Sequence, residues 1–249
     1  MTSHCLALDL PGVSVEVLPQ IDSTNSELMR RARAGDLAPV LLVAEQQSAG
    51  RGRLGRQWLG GKESLTFSLG MPLSPQDWSG LSLAAGISIA QSLHPDLRLK
   101  WPNDVWWHAR KLAGILIETA SLGEGRYVIV GVGINIQKPQ ALGLATPPAW
   151  LQELLPGIDP AQALLRIAAP LVQCIKTFEQ GGFLPFQAAF NQRDALDGLS
   201  ITLGDGTVGV AHGVDGVGAL RVQTEQGLKA ITSSEVSVRP LGMSPATHY

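Results

Sequence analysis

Cysteine is scarce in this chain: Cys5 and Cys174 are the two among 249 residues. They stand far apart and form no C-x-x-C pair, which argues against a cysteine-built zinc site and against a disulfide scaffold. Two reduced thiols in a reducing compartment is the plain reading. Long apolar runs are missing too. Nowhere do about 18 apolar residues follow one another, so no segment reads as a membrane span. Residues 1–12 hold no basic stretch followed by an apolar one, so no signal peptide is read there and the expected location is cytoplasmic. Charge is low, at 16%, with a net of −2, and a dedicated nucleic-acid binder would show a basic excess. Hydrophobic residues make up 45%, which describes a globular protein and not a disordered one. The length suits one large domain or a large one with a small one.

Against that near-neutral background one stretch stands out: Gln47-Ser48-Ala49-Gly50-Arg51-Gly52-Arg53-Leu54-Gly55-Arg56-Gln57-Trp58. It has no apolar period, so it is neither a core strand nor a helix face. It follows an apolar run at 40–44 that reads as a strand. Glycine lets backbone N–H groups approach an oxyanion, and arginine offers a fixed fork to phosphate or carboxylate oxygens. An anion-binding loop, a solvated basic loop and an Arg-Gly nucleic-acid segment all fit these residues. The net charge disfavours the last.

In chain order, 13–18 reads as a strand. Thr24 with Glu27 fits a capping box, with a helix running on to Gly35. Ser23 and Thr24 are helix-start residues on the plain reading, and holders of a polar ligand group on the functional one. Strands are expected at 64–69 and 97–101, a helix at 77–93, and a turn at Pro102-Asn103-Asp104. Lys111 to Glu118 and 126–136 read as a buried hairpin with its turn at 121–125. Gly114, Gly131 and Gly133 weaken such strands unless a group lies close on the sheet. A Pro-rich loop at 139–148 leads to helices at about 147–155, 159–180 and 183–194, the second broken or kinked at Pro170. After Gly198 five short strands follow, at 199–203, 207–211, 219–223, 228–231 and 236–238, separated by Gly-rich turns and suggesting a small barrel. The expected organisation is a domain at 1–197, a second at 198–242 and a frayed tail at 243–249.

Four pieces occur together and in order. They are Ser23-Thr24-Asn25, the arginine-glycine loop, Lys100-Trp101-Pro102-Asn103-Asp104, and Arg110-Lys111-Leu112-Ala113-Gly114-Ile115-Leu116-Ile117-Glu118 with Gly131-Val132-Gly133-Ile134-Asn135. Together they resemble the catalytic region of the bacterial biotin protein ligases. The resemblance implies an α+β fold: a mixed-sheet catalytic domain related to class II aminoacyl-tRNA synthetases, followed by an SH3-like barrel. It implies ATP and biotin as substrates with Mg2+. Biotin and ATP would give biotinyl-5′-AMP and pyrophosphate, and biotin would then pass to one lysine of a biotin carboxyl carrier protein, acetyl-CoA carboxylase's carrier subunit by default. No nucleic-acid or membrane partner is implied. Many relatives dimerise through the catalytic sheet edge, on which no residue pattern here bears. Some carry an N-terminal helix-turn-helix, for which the 12 or so residues before the first strand leave no room, so a ligase without a DNA-binding domain is expected.

Carried over by position, Ser23, Thr24, Asn25, Gln47, Gly50 and Arg51 match biotin-binding positions, and Gly114 and Gly131 those whose backbone approaches it. Arg53, Arg56, Trp58, Asn103 and Asn135 match positions around the adenylate. Lys111 matches the lysine that bridges the biotin carboxylate and the α-phosphate, and with Arg51 and Arg53 it is expected to carry catalysis. Asp104 is the candidate carboxylate toward magnesium. A lipoate- or octanoate-activating ligase and a non-catalytic biotin-binding protein are the competing readings.

Overall fold

The computed structural model describes residues 8–58, 61, 64–122, 125–139, 148–232 and 238–240. Its frame is a seven-stranded mixed sheet. The strands are β1 (Ser14–Leu18), β2 (Val40–Ala44), β3 (Ser64–Leu73), β4 (Arg98–Lys100), β5 (Asp104–Trp107), β6 (Arg110–Leu122) and β7 (Gly125–Asn135). They lie in the order β1-β2-β3-β7-β6-β5-β4. β1 runs parallel to β2, and every other neighbouring pair is antiparallel.

Successive residues of a strand face opposite sides of the sheet, and here the two sides differ in chemistry. On one side Leu41, Val43, Leu65, Phe67, Leu69, Ala113, Ile115, Val130 and Val132 join the main core. That core includes residues of α2 (Leu81–Leu93) and α3 (Pro160–Gly181). On the other side Val40, Leu42 and Ile129 pack with Leu28 and Ala32 of α1 (Thr24–Arg33) in a separate, smaller cluster. The residues alternating with the main-core set are small or polar: Thr66 and Ser68 on β3, Gly114 and Glu118 on β6, Gly131 and Gly133 on β7. The sheet thus has an apolar face that holds the fold and a face lined with hydroxyls and glycines.

α1 begins at Ser23, whose hydroxyl accepts from Ser26 N, so the cap lies one residue before the expected Thr24. α2 starts at Leu81, because Gly80 at φ 80° turns the chain just before it. The expected turn at 102–104 ends in a strand: β5 pairs with both β4 and β6, and His108 and Ala109, at φ 45° and 59°, close the β5–β6 hairpin. The Trp101–Pro102 peptide is cis. α3 opens on a capping box between Asp159 and Gln162, with Pro160 in its first turn. It is unbroken at Pro170, which is exposed together with Arg166, whose carbonyl loses its helical donor there. The helix expected at 183–194 is shorter, a tight turn followed by α4 (Gln187–Asn191). At 147–155 the described residues hold a single 3-10 turn, Leu151–Glu153.

The C-terminal strands β8 (Ser200–Leu203), β9 (Val208–Val214), β10 (Leu220–Thr224), β11 (Gly227–Ile231) and β12 (Val238–Pro240) form a separate antiparallel sheet in the order β11-β10-β9-β8-β12. Ile201, Leu203, Ala211, Val214, Leu220 and Val222 belong to the same core cluster as the large sheet. Buried Trp101 donates its indole N–H to Gly218 O at 3.1 Å across the junction. The expected hairpin tip at 123–124, most of the Pro-rich loop, residues 236–237 and the tail at 243–249 lie outside the described residues. No helix among those described is long and apolar enough to cross a membrane.

Candidate functional site

The hydroxyl-and-glycine face is where the expected site residues meet. At one end lies the start of α1. Thr24 donates to Gln47 Oε1 through its backbone N at 2.7 Å and its hydroxyl at 3.1 Å. Ser68 Oγ, fully buried on β3, lies 2.7 Å from Thr24 Oγ1 and 2.6 Å from Asn25 Oδ1. Asn25 Nδ2 donates to Glu118 Oε2 at 2.9 Å. Glu118 Oε1 in turn accepts from Arg51 at 2.7 Å. Gly131 sits beneath this chain of bonds: a Cβ there would lie 2.0 Å from Asn25 Oδ1. Ser68 was not among the expected residues, and Glu118 closed the strand motif without being given a role. Their signal was the small hydroxyl at every second position of β3 (Ser64, Thr66, Ser68) and the carboxylate ending the apolar run of β6.

The arginine-glycine segment folds back on itself as a small hairpin. Arg51 bridges to Gln57, Gly52 N donates to Arg56 O at 2.8 Å, and Trp58 N donates to Gly50 O at 3.0 Å. Gly50 has to be glycine, since a Cβ would meet Trp58 O at 2.5 Å. The hairpin base is tied down by Ser48 N to Ile21 O and Ala49 N to Asp22 O. The turn presses the Trp58 ring onto Gly133, where a Cβ would stand 2.3 Å from ring atom Cε2. Lys111 Nζ lies 5.9 Å from the same ring's centroid, within cation–π range.

Beneath Trp58 is the cationic end. Lys111 Nζ stands 2.6 Å from the enclosed Asp104 Oδ1, in ion-pair contact without hydrogen-bond alignment. Asn103 donates to Ile115 O at 2.8 Å and accepts from Arg53 at 3.4 Å. Asn135 is buried and donates to Ala149 O at 3.0 Å and to Lys111 O at 3.5 Å, so it props the lysine's backbone. Lys100, quoted in the sequence motif but given no role, belongs here too. Burial above all weakens its hold on its proton; Asp104 opposes this, and Lys111, Arg56 and Arg53 add to it. Burial has the same effect on Arg53, again opposed by Asp104. The expected residues do not converge on one point. Arg51 is bound to Glu118 and Ser26 at the α1 end, and Arg56 is exposed. Cations gathered in a partly desolvated cleft suit a reaction in which negative charge builds up. Among the described residues no three His, Cys, Asp or Glu side chains group to hold a metal.

Residues 17–135 match the Biotin/lipoate A/B protein ligase family and residues 200–239 the Biotin protein ligase C terminal domain. The chain is 33% identical to the bifunctional ligase/repressor BirA of Escherichia coli over 246 residues, covering 92% of this chain and 75% of that one. It is 33% identical to the biotin–[acetyl-CoA-carboxylase] ligase of Paracoccus denitrificans, covering 88% of this chain and 98% of that one. The biotin protein ligase of Aquifex aeolicus in complex with biotin and ATP superimposes with a TM-score of 0.79 at 31% identity, over 91% of this chain and 99% of that one. A lipoate ligase and a biotin ligase share the first of these matches, but the second is specific, and with it the chain is placed among the biotin protein ligases.

Proposed function

We propose that this chain is a biotin protein ligase acting in the cytoplasm. It condenses biotin with ATP to biotinyl-5′-AMP and moves the biotinyl group to a lysine of a carrier domain. In the first step a biotin carboxylate oxygen bonds to the α-phosphorus, and the bond to the β-phosphate oxygen breaks to release pyrophosphate. In the second the lysine amine bonds to the acyl carbon, the bond to AMP breaks, and the amine sheds a proton. The observation that supports this most is Lys111. It lies under Trp58, beside Asp104 and near Lys100 and Arg53, on the face that also carries the α1 network. Two anions meet in the first step, so preorganised cations are its main catalytic requirement. The α1 network, built from uncharged donors and acceptors except for Glu118 and Arg51, suits the neutral ring system of biotin. Asp104 is already engaged by Lys111, so magnesium belongs to the nucleotide substrate, with Asp104 its one candidate carboxylate from these residues.

Incubating the chain with biotin, MgATP and a carboxylase carrier domain should add one biotinyl mass to one carrier lysine. Replacing biotin by lipoate or octanoate should give none. No gain with biotin, or equal gain with lipoate, would overturn the assignment.

A further inference from the structure

Glu118 puts a negative charge on the face where two anions are to meet. That is unfavourable unless the charge is neutralised or put to use. Its side chain is 19% exposed, and both of its oxygens are taken, each by a different part of the chain. Oε2 accepts from Asn25 Nδ2 at 2.9 Å, at the start of α1. Oε1 accepts from Arg51 at 2.7 Å, in the arginine-glycine hairpin. A carboxylate paired with a guanidinium only accepts hydrogen bonds, so it turns the NH2 of Asn25 toward itself. That leaves Asn25 Oδ1 to Ser68, in the 2.6 Å contact packed against Gly131. One side chain thus orients the α1 network and grips the hairpin.

The hairpin needs such a grip. Gly50, Gly52 and Gly55 give it much freedom to lose on ordering. Leu54 at its tip sits at φ 55°, in the left-handed region, where a residue with a side chain is strained. The bonds from Ser48 to Ile21 and from Ala49 to Asp22 hold the base. Arg51 lies beyond that base. Its charge-assisted bond to Glu118, with Ser26 Oγ at 3.3 Å beside it, ties the hairpin itself to β6 and α1. The hairpin brings Trp58 over Gly133 and Lys111, so while held closed it covers the cleft in which a water-sensitive adenylate would form. The Arg51 charge is met by Glu118 here and is not offered to a phosphate. We infer that Glu118 is a positioning residue that latches the arginine-glycine hairpin shut through Arg51 and so retains the adenylate. The inference rests on the ligase reading above and adds what holds its intermediate in place.

The test is a double-mutant cycle on adenylate dissociation, with the adenylate formed on the enzyme from biotin and MgATP and its release followed by stopped flow. Glu118→Gln keeps the size and an acceptor for Asn25 but removes the charge facing Arg51. The adenylate should leave about tenfold faster, as from Arg51→Ala, the effect of one charge-assisted bond. The double variant should also be about tenfold faster, not about a hundredfold, since both changes open one latch. Glu118→Asp, with the charge on a shorter arm, should fall between Glu118→Gln and the wild type. In Glu118→Gln the KM for biotin should rise by more than kcat falls, because the bond is present before and during the reaction. If Glu118→Gln does not fold, Glu118→Asp takes its place in the cycle. An unchanged dissociation rate, or effects that multiply in the double variant, would overturn the latch. A wild-type chain that forms no adenylate would instead overturn the ligase reading.

Discussion

The two ends of the hydroxyl-and-glycine face work by opposite means. At the α1 end Thr24, Asn25, Gln47, Ser68 and Glu118 hold one another through short hydrogen bonds, and the polar atoms point in fixed directions. At the Lys111 end burial, with neighbouring cations adding to it, weakens the hold of Lys100 and Arg53 on their protons, and Asp104 opposes this. Fixed directional bonds discriminate a ligand's shape equally in ground and transition states. A cluster of cations in a partly dry cleft stabilises charge that grows during reaction. The first should govern which acid is bound and the second how fast it is activated.

Lys111→Ala should break this division most sharply. Adenylate formation should fall about 10²–10³-fold, the usual cost of one preorganised transition-state donor, with biotin binding nearly kept. Single-turnover pyrophosphate release and calorimetry read the two quantities, and an equal loss in both would erase the distinction. Gly131→Ala attacks the other end, since its methyl would displace Asn25. The KM for biotin should rise about 10–100-fold as several hydrogen bonds go unmade, with kcat and the KM for ATP little changed. A fall in kcat instead would mean that the two ends act as one. Arg51→Ala removes the pair with Glu118 at the hairpin base. Adenylate release, followed by stopped flow, should speed up about tenfold, the worth of one charge-assisted bond. Asp194→Asn, outside both ends, should leave adenylation alone and change how stability varies with pH. Burial pushes the folded carboxyl up to about 6 against an ordinary 3.8, so the folded state holds its proton longer. Its contribution is full below pH 4 and is lost as pH rises through 6, a slope worth about 3 kcal/mol. Denaturant unfolding at several pH values should show that slope flattened in the variant.

The Lys111 end was the more legible in the sequence, because its residues sit in motifs: a lysine opening a strand, an Asn-Asp turn, an arginine-glycine loop. The α1 end was half legible. Ser23, Thr24 and Asn25 announce a helix start, yet their partners Ser68 and Glu118 are 43 to 93 positions away. Only strand pairing brings these together, and no local pattern encodes that register. The same limit hid β5, which is four residues long and reads as turn chemistry until its neighbours on both sides are known. Lys100 was passed over because alternation along 97–101 accounts for it as an ordinary strand residue.

Trp101 carries a consequence of its own. It opens the segment that leads to Asn103 and Asp104, and its indole is anchored on Gly218, in the turn between β9 and β10 of the C-terminal sheet. The small sheet also shares its apolar interior with the large one. It is therefore a poor candidate for removal or exchange. A truncation before β8, or a graft of another protein's final strands, would loosen the turn that presents Asp104 and so register as a defect in chemistry, not merely in stability.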